Sequence, residues 1–187
     1  MILICYDGSD DAQAAADQAI RLFPQKPATV LTVWEPYTAT LLNAGGGLGS
    51  GFGLEFDDHS AELDVQLLEQ AQQTAEEGAQ RVRAAGMGAD ALVQERNGSV
   101  AKAVLAVAER VDADAIVVGT RGRGGAKSAL LGSVSRDLVH HADRTVVVAP
   151  SAALARRRDL QRSRWQRVAA TDHDAAAASQ RLTRRSA

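Results

Sequence analysis

Short apolar runs alternate along the chain with longer stretches in which small apolar residues recur every three or four positions. The runs Ile2-Leu3-Ile4-Cys5-Tyr6, Thr29–Trp34, Ala91–Gln94, Ala115–Val118 and Thr145–Ala149 have the length and apolar character of buried parallel strands. Ala12, Ala15, Ala16, Ala19, Ile20 and Phe23 mark one helical face, stopped by Pro24. From His59 to Ala85 the positions Leu63, Leu67, Ala71, Ala75, Ala79 and Val82 mark another, closed by Gly86. Asn97-Gly98-Ser99 opens a third helix through Val104, Leu105, Ala108 and Val111, and Ser133 to His141 forms a further one. Ser9 has the character of an N-cap, with Asp10 and Asp11 in the first turn favourable to the helix dipole. Strands alternating with helices in this way predict βαβ units and one doubly wound parallel sheet, whose ligands sit at the carboxyl ends of the strands. The turns Asp7-Gly8-Ser9 and Gly119 onward would both lie on that edge.

The periodic pattern fails in two places. Residues 35–58 carry six glycines between Gly45 and Gly53, which predicts a mobile surface loop, far longer than ordinary connections of this kind. Residues 151–187 hold nine Arg against three Asp, a net of +6, and beyond Thr171 no core face remains. The sequence therefore divides into a body, 1–150, with a net charge of −8, and a basic tail, 151–187, expected to be disordered. Aromatic residues are only 4% of the 187, so Ala, Val, Leu and Ile must fill the core. The lone Cys5 excludes an internal disulfide and suits a reducing compartment. With no secretory signal pattern and no long apolar segment, the expectation is a cytoplasmic protein without a membrane span.

The densest chemistry follows the Ala115–Val118 run, where Gly119-Thr120-Arg121-Gly122 is followed, after nine further residues, by Gly132-Ser133-Val134-Ser135. Glycines tolerate positive φ and let a backbone approach an anion closely. A helix beginning at Gly132-Ser133 offers free N–H groups and the positive end of its dipole to a phosphate. Ser133 and Ser135 bring hydroxyls, and Arg121, Arg123 and Lys127 bring charge for a phosphate chain.

With Ile2-Leu3-Ile4, Asp7-Gly8-Ser9, Asp114–Gly119, the complete glycine motif and Val146-Val147-Val148, residues 1–150 resemble the nucleotide-binding branch of the universal stress protein family. The resemblance implies five parallel strands in the order 3-2-1-4-5 with helices on both faces, as in the adenine nucleotide alpha-hydrolase-like fold. It implies a homodimer formed through the last strand, binding ATP or another adenine nucleotide, with magnesium arriving on the nucleotide. It maps the residue beside the nucleoside to Asp7 and the backbone framing the adenine to Val33. Ribose and phosphate contacts map to Gly119, Gly122, Gly132, Ser133, Val134 and Ser135. Where many members carry a proline before the last strand, this chain has Arg144-Thr145.

Two rival functions follow from other features. ATP hydrolysis needs an oriented water and a base or charge clamp, but no Gly-x4-Gly-Lys-Ser loop is present, and His140 and His141 fall late in the last helix, at surface positions. Any hydrolysis would be slow. The tail arginines with Trp165 could meet nucleic acid or an anionic membrane, which the acidic body opposes. The sequence thus predicts a nucleotide-responsive regulatory protein of the stress-response type, with a protein partner it does not name.

Overall fold

A computed structural model describes residues 1–37, 39–40, 58–122 and 131–150. Most of the expected 35–58 loop, Arg123, Lys127 and the 151–187 tail lie outside these described residues. The elements are β1 (Ile2–Cys5), α1 (Asp10–Leu22), β2 (Ala28–Trp34), α2 (Asp58–Ala84), β3 (Ala89–Glu95), α3 (Val100–Arg110), β4 (Ala115–Gly119), α4 (Ser133–His141) and β5 (Thr145–Ala149). All strand pairs are parallel, in the order β3-β2-β1-β4-β5. The doubly wound sheet predicted from the alternation is therefore the one present.

Each sheet face carries its own core. Ile2, Ile4, Val30 and Val117 pack against Ala12, Ala15, Ala16 and Ala19 of α1 and Ala79 and Val82 of α2. Leu3, Leu31, Ile116 and Val118 meet Val104, Val107 and Ala108 of α3 and Leu138 of α4 on the other face. The alanines let α1 lie close to the sheet, which suits a chain poor in aromatic residues. Tyr6, just past β1, is 2% exposed and belongs to the first face. Its hydroxyl donates to Glu77 Oε1 at 2.8 Å. Its ring occupies a notch in α2, because a Cβ at Gly78 would lie 2.8 Å from Tyr6 Cγ and from Val30 Cγ1.

Local sequence signals set the ends of several elements. Ser9 Oγ accepts the Ala12 N–H and Ser99 Oγ accepts the Lys102 N–H, so both serines cap helices as expected. Gly86 stands beyond the end of α2 with φ +84°, a conformation that favours glycine. The region after β2 departs from expectation, because residues 37, 39 and 40 are helical rather than loop. There the Thr40 N–H bonds the Pro36 carbonyl at 3.1 Å. β3 is longer than predicted, and Leu67 is 36% exposed instead of buried. Leu67 borders a cavity of about 240 Å³ with Trp34 and Ala71, so the apolar stripe of α2 is covered only toward its C-terminal half.

Candidate functional site

The chain adds strands to one side of β1 through β2 and β3, then returns to its other side with β4 and β5. Strand order reverses between β1 and β4, where register pairs Ile4 with Val117. Asp7 and Thr120 consequently leave the sheet at the same level. A cavity of about 570 Å³ opens there. Its walls include Asp7, Val33, Gly119, Arg121 and Gly122 from the strand ends, and Gly132, Ser133, Val134 and Ser135 from the start of α4. Of the residues predicted for the site, Arg123 and Lys127 lie outside the described residues.

The cavity also has walls that the motif did not announce. Val100 and Val104 of α3, with Cys5, Leu31 and Val118, form an apolar surface facing the glycine turns. The four-residue spacing of the two valines reads in sequence as an ordinary core stripe, so nothing distinguished them. Arg136 lines the rim beside Ser135. It is 60% exposed, with its Nε 3.5 Å from Asp137 Oδ1.

The glycines act through a missing Cβ rather than through positive φ. Among the described residues positive-φ glycines are Gly8, Gly86 and Gly98, so the left-handed conformation expected of the motif is not used at Gly119, Gly122 or Gly132. Each of the three instead permits close packing. A Cβ at Gly119 would lie 2.7 Å from the Asp11 carbonyl carbon and oxygen. At Gly122 it would lie 2.7 Å from Asp7 Oδ2, and at Gly132 3.3 Å from the Thr120 carbonyl oxygen. The Asp7 carboxylate is oriented from its other oxygen, Oδ1, which accepts the Ser9 N–H at 3.0 Å and the Ser9 hydroxyl at 2.6 Å.

Thr120, not singled out in sequence, ties the motif together. Its N–H donates to the Ala149 carbonyl at 3.0 Å, and its own carbonyl accepts the Gly132 N–H at 2.7 Å. Its buried hydroxyl donates to Asp11 Oδ2. The same carbonyl accepts the Ser135 hydroxyl at 3.0 Å, and Ser135 is 2% exposed. The single hydroxyl hydrogen of Ser135 is thus committed inside the protein, also within 3.1 Å of the Gly132 carbonyl. The Ser135 hydroxyl thereby braces the loop from the cavity wall. Ser133, which carries no such bonds, is exposed at the cleft.

The helix ends differ in a way that bears on ligand chemistry. α1 and α3 have serine caps, whereas α4 begins at Gly132 with no side chain bonded to its first turn. Its first N–H groups have no intrahelical acceptors, and the residues that carry them line the cavity, which favours an anion. Arg121 stands nearby, its Nε 3.9 Å from Asp11 Oδ2. Burial, then the neighbouring Asp7, pushes the Cys5 thiol up to about 12, so the cavity floor is a neutral thiol near neutral pH. His140 and His141 are exposed, as predicted, away from the cavity walls. The arrangement offers an apolar slot, a positioned carboxylate and a helix end for an anion, with no histidine among its described walls.

Residues 1–150 match the sequence pattern of the universal stress protein family. The universal stress protein Slr1101 of Synechocystis is 33% identical over 96 residues, covering 48% of this chain and 89% of that protein. UspA from Lactobacillus plantarum superposes with a TM-score of 0.62 at 22% identity, covering 79% of this chain and 95% of that one. A universal stress protein of Archaeoglobus fulgidus, solved in complex with dAMP, gives 0.51 at 24% identity with the same coverage, 79% and 95%. Other structural neighbours hold cAMP and AMP. No helix among the described residues is long and apolar enough to cross a membrane.

Proposed function

Given that the chain belongs to the universal stress protein family, we propose that its cleft binds an adenine nucleotide, ATP by preference, and that occupancy regulates the protein rather than feeding catalysis. The observation that carries this reading is the convergence of Asp7, Val33 and both halves of the glycine motif on one cavity of about 570 Å³. The base lies against Val33, Val100, Val104 and Val118, with its edge toward the backbone of Val33. Asp7 meets the ribose hydroxyls, and the phosphates reach Gly122, Gly132, Ser133 and the open end of α4. Arg121 and Arg123 add charge to the phosphate chain, and magnesium comes with the nucleotide. Neighbours that hold dAMP, cAMP and AMP support an adenine ligand. The sequence carries no Gly-x4-Gly-Lys-Ser loop, which favours a sensor over a hydrolase.

Calorimetry with ATP, ADP, AMP and cyclic AMP, with and without magnesium, tests the assignment directly. Tightest binding of ATP with magnesium is the expected result, and absence of binding by every adenine nucleotide would reject it. Mass spectrometry of denatured purified protein asks the same question of any retained nucleotide.

Further parts of the reading concern partners. β5 is an edge strand whose Val146, Val147 and Val148 are only half-buried, and Val139 of α4 is 52% exposed. These features support a homodimer through β5, which Val147→Lys would dissociate in light scattering. The basic sequence 151–187 takes no nucleic-acid partner, and the protein acts as a cytoplasmic regulator of the stress response. Removing 151–187 should leave ATP affinity and salt-dependent DNA retention unchanged.

A further inference from the structure

Thr120 has no polar group left for a ligand, because all of them bond within the protein. The residue that takes its hydroxyl is Asp11, whose carboxylate oxygen Oδ2 also accepts the Arg121 N–H at 2.9 Å and lies 3.9 Å from Arg121 Nε. Two hydrogen bonds and a longer ion pair therefore converge on a single oxygen of a residue only 9% exposed. The backbone of the same residue forms the surface on which Gly119 rests. Asp10, its neighbour, is exposed and suffices as a dipole partner in the first turn of α1. Burying a second carboxylate there is unfavourable unless donors compensate it, and every donor it has belongs to the turn leading into Gly122.

We propose that Asp11 is the positioning residue for the phosphate side of the cleft. It fixes the Gly119–Gly122 turn beneath the start of α4, and it offsets part of the Arg121 charge. Asp11 thereby sets both the shape and the net charge that the phosphates meet, without touching the nucleotide. The inference rests on the reading of the cleft as a nucleotide site.

Two substitutions separate the two effects. Asp11→Asn keeps an oxygen with two lone pairs, enough for the Thr120 hydroxyl and the Arg121 N–H, but removes the charge. Asp11→Ala removes both. In calorimetry, Asp11→Ala should weaken ADP about tenfold while adenosine changes by less than about twofold, since the turn meets phosphates and not the nucleoside. Asp11→Asn should strengthen ADP by about threefold at low salt, a gain that vanishes at about 0.5 M salt. A merely structural carboxylate would give losses of the same sign in both variants and for both ligands. That outcome overturns the proposal.

Hydrogen exchange of the 119–122 backbone in the ligand-free protein gives a readout that needs no nucleotide. Faster exchange in Asp11→Ala and unchanged exchange in Asp11→Asn are expected, and unchanged exchange in both would overturn the anchoring role. A wild type that binds no ADP would reject the cleft reading, while this exchange still decides whether Asp11 holds the turn. Should Asp11→Ala fail to fold, Thr120→Val serves instead. It leaves the carboxylate in place and should cost ADP about threefold with adenosine unaffected; equal loss of both ligands would count against the proposal.

Discussion

At the amino-terminal edge of the sheet the chain closes charges and helix ends on one another, whereas at the carboxyl-terminal edge it leaves a helix end and an apolar wall facing a cavity. On the first edge Asp114 holds the Met1 amino group at 2.7 Å and Lys26 Nζ at 3.0 Å. These partners, the amino group foremost, hold its carboxyl down at about 2. Arg144 Nη1 donates to the carbonyls of Ala108 at 2.8 Å and Ala113 at 3.1 Å, satisfying acceptors at the end of α3. Arg83 does the same for Ala89 at the start of β3. On the second edge α4 has no side-chain cap, and Val100 and Val104 line the cavity. Exposed ion pairs contribute little singly, but together they finish one edge, which leaves the other available for a ligand. Stability and binding should accordingly respond to different substitutions.

The sharpest break in that contrast is Gly122→Ala. Its Cβ would stand 2.7 Å from Asp7 Oδ2, so the carboxylate or the turn must move. Overpacking of this kind costs about 1–3 kcal/mol, and here it should fall on the bound state, lowering ATP affinity about 10- to 100-fold in calorimetry while the melting temperature stays within about 2 °C. Arg144→Ala is the counterpart at the other edge. Loss of its two carbonyl contacts should reduce stability by about 1.5 kcal/mol in urea unfolding, with ATP affinity unchanged. Equal damage to binding would dissolve the distinction between the edges.

A subtler test gives the second edge the finish of the first. Gly132→Asp supplies α4 with the cap it lacks, in a position where the new Cβ lies 3.3 Å from the Thr120 carbonyl oxygen and 3.5 Å from Arg121 Cα. Stability should rise or hold within about 1 kcal/mol, while the added carboxylate repels phosphate and weakens ATP by about fivefold. Unchanged ATP affinity would mean that the phosphates do not lie at α4. A separate effect, confined to alkaline solution, is expected from pH. Folding holds the Cys5 thiol neutral up to about 12, while the unfolded thiol ionises near its ordinary 9.0, so the unfolded state releases its proton first. The stabilisation is complete below pH 9 and is lost as pH rises toward 12. Urea melts at several alkaline pH values should show this slope, and Cys5→Ala should flatten it; the remaining slope belongs to Tyr6, also raised to about 12.

Much of this architecture is legible in the amino-acid sequence. Alternating apolar runs marked every strand, because a strand buried on both faces needs such a run, and Ser9 and Ser99 marked helix starts through a local bond. The glycine motif located the cleft for the same local reason. What escaped was nonlocal. The Asp11–Thr120 bond joins residues 109 apart in sequence, and neither residue type announces such a partner. Ser135 looked like a ligand donor because its hydroxyl is free in sequence, yet the fold commits it to Thr120. Leu67 sat on the correct helical face, but a periodic stripe does not say where the sheet beneath it ends.

The notch at Gly78 carries a consequence for how this chain can change over generations. Tyr6 sits between Cys5 and Asp7, two residues that line the cleft, yet its ring fills the gap that Gly78 leaves in α2 on the opposite sheet face. A mutation of Gly78 alone would drive a methyl group into the ring and shift the strand end that bears Asp7. A smaller residue at position 6 alone would leave a void under α2. Drift at Gly78 therefore needs room made at both Tyr6 and Val30, and a pocket on one side of the sheet is bound to the history of a helix on the other.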